Sequence, residues 1–83
     1  MRDPLVSARR KIDALDRRIA GLLARRWDLA VPLRALKAKA ADRARERRVL
    51  ANAGAAAGRR YSGSAKAVFA CIIGQTKKLQ AAK

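Results

Sequence analysis

The chain has 83 residues, with 21 Lys and Arg against 6 Asp and Glu, a net charge of +15 and no histidine. That length leaves room for one domain, residues 1–83, and one cysteine without histidine excludes a disulfide framework or a His/Cys metal cluster. Ala, Leu, Arg and Lys dominate and aromatics number three, which argues for helices and against a sheet.

The first predicted element begins at Asp3-Pro4, an N-cap followed by proline at the first helical position. A three–four apolar pattern then runs from position 5 to about 39, roughly 50 Å of helix at 1.5 Å per residue. A compact domain of this size is nearer 30 Å across, so the seam needs a partner from another chain, and an intertwined homodimer is expected. Pro32 interrupts the run. Either the helix ends near Val31 and restarts, or it continues with a kink, and the in-phase Leu33 and Leu36 favour the kink.

A short connection around positions 40–41 leads to Asp42, which caps a second helix reaching about Ala57. Its thin apolar face is Val49, Leu50 and Ala53; Gly54 weakens it and Gly58 ends it. Positions 59–63 read as a loop. Ser62 or Ser64 caps a third helix to about Gln80, with Ala65, Val68, Phe69, Ile72, Ile73, Thr76, Leu79 and Gln80 on one face. Cys71, within an apolar run, reads as a small core residue. The fold class is all-α, with three helices per subunit.

Polar groups lie on stripes that ought to be buried. The seam steps Ile12, Leu15, Ile19, Leu22, Arg26, Leu29, Leu33, Leu36 put a permanent cation where a leucine belongs. A guanidinium cannot shed its proton, and burying it unpaired costs several kcal/mol or more, so Arg26 either snorkels to water or meets an anion. Lys37 lies 11 residues on and points within about 20° of Arg26. Thr76 and Gln80 end the third stripe at i and i+4, and Arg45 and Glu46 open the second helix beside Val49. Arg9 is roughly 25 Å from Arg26 along the helix, so the two meet one small ligand only across an antiparallel dimer. The basic residues are scattered as doublets, such as Arg17-Arg18 and Arg47-Arg48, rather than in one block.

Taken in order, these residues resemble the all-helical chorismate mutase family. The matching stretches are Ala8-Arg9-Arg10-Lys11-Ile12-Asp13-Ala14-Leu15-Asp16, Leu22-Leu23-Ala24-Arg25-Arg26, Leu29-Ala30-Val31 with Lys37, Asp42-Arg43-Ala44-Arg45-Glu46-Arg47, and Ile72-Ile73 through Thr76 and Gln80. The resemblance covers nearly the whole chain. It implies an intertwined dimer of three-helix subunits that converts chorismate, a dianion, to prephenate without metal or cofactor.

By that resemblance Arg9, supplied in trans, and Arg26 clamp the carboxylates, while Lys37 and Gln80 donate to the ether oxygen. Glu46 accepts from the ring hydroxyl, the Asp42 backbone amide helps there, Thr76 assists a carboxylate and Arg45 supports the cationic wall. The reaction is a [3,3] rearrangement with no nucleophile and no obligatory proton transfer, so the lack of histidine is no objection. Orientation and charge stabilisation at the ether oxygen carry it.

Three departures stand out: Pro32 between Arg26 and Lys37, a short connection before Asp42, and Lys77 at a place usually apolar. Within the family, a 4-amino-4-deoxychorismate mutase or an isochorismate-pyruvate lyase would use the same scaffold. Outside it, the charge alone suggests a basic helical dimer on nucleic acid, against which stand the dispersed doublets and the scarcity of stacking aromatics. A catalytically silent or partner-dependent family member is a further alternative. The N-terminus has no apolar leader and no run approaches a membrane span, so a cytoplasmic location is expected.

Overall fold

The computed structural model describes residues 3–36 and 42–82. The described residues form three α-helices: α1 (Pro4–Ala30), α2 (Arg43–Ala57) and α3 (Ser62–Ala81). Among the described residues there is no strand, and no helix is long and apolar enough to cross a membrane.

Helix α1 starts as its sequence requires. Asp3 is the N-cap, its carboxylate accepts from the Leu5 amide, and Pro4 occupies the first turn, where no donor is needed. The helix does not run kinked to position 39. Its α-helical ladder stops at Ala30 and tightens into a 3₁₀ segment, Val31–Leu36. The Asp28 carbonyl would take its bond from residue 32, and proline there has no N–H to give. Positions 37–39, the rest of the expected helix, lie outside the described residues, as does the connection at 40–41.

Helix α2 begins after Asp42, whose side chain accepts from the Arg45 amide at 3.0 Å. It ends at Gly58, whose φ of 89° suits a residue without a Cβ. The expected loop after it is a 3₁₀ turn, Arg59–Tyr61, that feeds directly into α3. Ser62 is therefore already helical (φ −55°, ψ −49°) rather than the cap foreseen for it.

Helices α2 and α3 form an antiparallel hairpin. Gly54 faces Ser62 and Lys66 near the turn, and Glu46 meets Lys77 at the far end. The glycine that weakens α2 locally is what lets α3 approach: a Cβ on Gly54 would fall 2.6 Å from Ser62 Oγ and from Lys66 Cε. The half-buried or buried stripe of α3 is Ser62, Ala65, Phe69, Ile72, Ile73, Thr76 and Gln80. Val68 and Leu79, expected on that face, are exposed, and so is Cys71, which is no core residue in the single chain.

Among the described residues, α1 hydrogen-bonds to the hairpin through Arg26, Trp27 and Ala30, and none of its residues is buried. The molecule is accordingly long and thin, 59 × 30 × 14 Å. Its radius of gyration is 16.0 Å, against about 12 Å for a compact chain of this length.

Replacing Gly54 by Val makes the Ser62 and Lys66 side chains give way and is expected to cost about 1–3 kcal/mol, read as a lowered melting temperature by circular dichroism. Gly63→Ala, where no neighbouring atom lies within 4 Å of the new Cβ, is the control and should not destabilise.

Candidate active site

Three helical faces converge at one end of the hairpin. The end of α1 and its 3₁₀ extension bring Arg26, Leu29, Ala30 and Leu33; the start of α2 brings Asp42, Arg45, Glu46 and Val49; the end of α3 brings Ile73, Thr76, Lys77 and Gln80. Each set has the spacing i, i+3, i+4, i+7, which is one face of one helix. The 3₁₀ winding preserves that face past Ala30, because three residues per turn stack Leu33 directly over it. Together they enclose a cleft of about 300 Å³.

Thr76 is the best-buried polar residue lining it. Its Oγ1 donates to the Ile72 carbonyl at 2.7 Å and accepts from Arg26 Nη1 at 3.1 Å and from Trp27 Nε1 at 3.0 Å. The hydroxyl has one proton, and the backbone takes it. Toward a ligand, Thr76 therefore acts through Arg26, whose guanidinium has four further N–H donors. Arg26 neither floats free in water nor sinks unpaired. It is half-buried and held at the cleft wall by a neutral acceptor that leaves its charge uncompensated.

Gln80 ties the same two elements one turn further on. Its Nε2 donates to the carbonyl of Ala30, the last residue of α1, at 2.8 Å. The second amide hydrogen remains for other partners. Glu46 is half-buried and pairs with Lys77, Oε2 to Nζ at 2.8 Å. Among the described residues this is the one ion pair, so Arg26 and Arg45 face the cleft without a carboxylate partner. The Asp42 carboxylate is engaged by the first turn of α2.

Of the eight site residues read from the sequence, the cleft gathers six: Arg26, Asp42, Arg45, Glu46, Thr76 and Gln80. Arg9 is exposed on α1 and does not line it. Lys37 lies outside the described residues. Trp27 was not anticipated. The apolar seam steps over it, and the available sign was its place as the only tryptophan, directly after Arg26. Among the described residues no group of three or more His, Cys, Asp or Glu side chains is placed to hold a metal ion.

Compared with protein families, the chain matches chorismate mutase type II over residues 8–81. The chain belongs to the type II chorismate mutase family. Neither the curated proteins nor the solved structures compared with it give a match. For a chorismate mutase family member, the cleft has the right character. Three cations outnumber two carboxylates, apolar Leu29, Val49 and Ile73 complete the wall, and no lining residue is a nucleophilic cysteine.

Thr76→Val keeps the shape of the side chain but leaves the Arg26 and Trp27 donors without an acceptor. It is expected to destabilise the protein by about 1–3 kcal/mol in urea unfolding, while Thr76→Ser stays near the wild type. Equal stability of Thr76→Val and wild type would contradict the role given to this hydroxyl.

Proposed function

We propose that the protein is a chorismate mutase, an isomerase that rearranges chorismate to prephenate, acting as an intertwined homodimer. The observation that carries this is the cleft itself, where Arg26 and Arg45 have no carboxylate partner among the described residues and stand beside Glu46, Thr76 and Gln80. Membership of the family supplies the substrate class.

The reaction breaks the C–O bond between ring and enolpyruvyl group as a C–C bond forms, with no net proton movement. The protein has to hold the enolpyruvyl arm over the ring, which is a matter of orientation. It also has to favour the negative charge that grows on the ether oxygen. Arg26, fixed by Thr76, binds one carboxylate with its outward N–H groups, and Arg9 of the partner subunit binds the other. Lys37 and the remaining amide hydrogen of Gln80 have the role of donors to the ether oxygen. Glu46 accepts from the ring hydroxyl, Asp42 contributes its backbone amide there, and Arg45 adds charge to the wall.

The dimer has its own physical argument. One chain exposes 7141 Å², against roughly 4,900 Å² for a compact protein of its mass. Ile12, Leu15, Ile19 and Leu22 of α1 are each more than half exposed, and Ala53 is the one buried hydrophobic residue among those described. A chain with so small a core is marginal alone. Pairing α1 with its counterpart in a second copy covers the seam, and antiparallel pairing carries Arg9 toward the Arg26 end of the neighbour.

Purified protein incubated with chorismate is expected to give prephenate, followed by NMR; a folded dimer that gives none would sink the reading. Arg26→Ala should lower kcat/KM by about 10²–10³-fold or more and leave the helical content unchanged. Mixing an Arg9→Ala chain with an Arg26→Ala chain should restore one intact site in the heterodimer. Absence of rescue, with heterodimer formation shown, argues against the shared site.

A further inference from the structure

Lys77 is the cleft residue for which the proposed mechanism has no use. It follows Thr76 on α3, lines the cleft, and places Nζ 2.8 Å from Glu46 Oε2. As a partly exposed ion pair it adds little to stability. Its position matters for another reason. Glu46 is the carboxylate left in the cleft for a ligand, because Asp42 already serves the first turn of α2. One Glu46 oxygen is engaged by a cation of the protein's own, and Oε1 remains.

We propose that Lys77 is a specificity-determining residue: it neutralises Glu46, so that the cleft takes a neutral hydroxyl on the substrate ring and rejects an ammonium group at the same carbon. This rests on the reading of Glu46 as the partner of that ring substituent. A lone carboxylate in a cation-rich cleft would pair with an ammonium at least as well as with a hydroxyl. With Lys77 in place, an ammonium on Oε1 sits about 5–6 Å from a like charge, with one carboxylate for two cations. A hydroxyl carries no charge, donates to Oε1 and meets no repulsion. Lys77 also holds the Glu46 side chain in one orientation before the ligand arrives, which lowers the ordering cost for the hydroxyl substrate. Specificity achieved by placing a repulsive charge against the wrong ligand is a general device.

The test compares kcat/KM for chorismate and for 4-amino-4-deoxychorismate in the full-length wild type, Lys77→Met and Lys77→Arg. Wild type is expected to favour chorismate. Lys77→Met should shift the ratio toward the amino substrate by about tenfold, the change expected from removing one like charge at that range. Most of that shift should fall in KM for the amino substrate. Lys77→Arg keeps the charge and should keep the wild-type ratio. An unchanged ratio in Lys77→Met, or a wild type that prefers the amino substrate, overturns the assignment while chorismate turnover still upholds the mutase reading. Turnover of neither substrate by the wild type brings down the mutase reading itself, and this assignment with it.

Discussion

Arg26 reaches the cleft along a path set by one hydroxyl group, Thr76 Oγ1, which takes N–H donors from Arg26 and Trp27 and gives its own proton to the Ile72 carbonyl. Two helices distant in sequence are joined there, and the Gln80 bond to Ala30 repeats the tie one turn on. Because Thr76 is neutral, it orients the guanidinium without cancelling its charge. An aspartate in its place would hold Arg26 as well and leave less charge for a ligand. The cleft depends on this arrangement: a cation fixed in direction and still electrostatically available.

The same economy shapes the fold. Pro32 ends the α-helical ladder of α1, and the 3₁₀ turns that follow keep Leu33 over Ala30 so that the wall continues. Gly54 lowers the intrinsic helicity of α2 and lies against Ser62 and Lys66 of α3, in the hairpin whose far end pairs Glu46 with Lys77. In both places a residue unfavourable to its own helix serves the contact between helices. Little apolar surface is buried in return within one chain, which is why the exposed seam of α1 weighs so heavily in the proposed dimer.

Much of this was legible in the sequence, for identifiable reasons. Asp3-Pro4, Asp42 and Gly58 act within a turn of where they stand, so the helix ends they mark follow from local geometry. The faces carrying Arg26, Glu46, Thr76 and Gln80 follow from the 3.6-residue period, which needs no knowledge of the partner element. Less legible were the features set by a neighbour. Val68, Leu79 and Cys71 have the hydrophobicity of core residues, yet they lie off the narrow stripe that α2 covers. Ser62 looks like a helix cap, but the 3₁₀ turn before it already winds in register with α3.

By itself, then, the sequence determined the helical class, the starts of α1 and α2, the seam with a cation in it, and the family, because these depend on composition, period and order along one chain. Tertiary structure alone decided which polar groups speak to each other. That the Thr76 proton goes to the backbone, that Trp27 shares its oxygen, that Gln80 closes α1, and that Lys77 holds Glu46 are matters of a few ångströms between residues some thirty to fifty positions apart, except for the local bond to Ile72. Hydrogen bonds and ion pairs have short reach and strict direction, and no periodicity in a single chain encodes which helix will stand opposite.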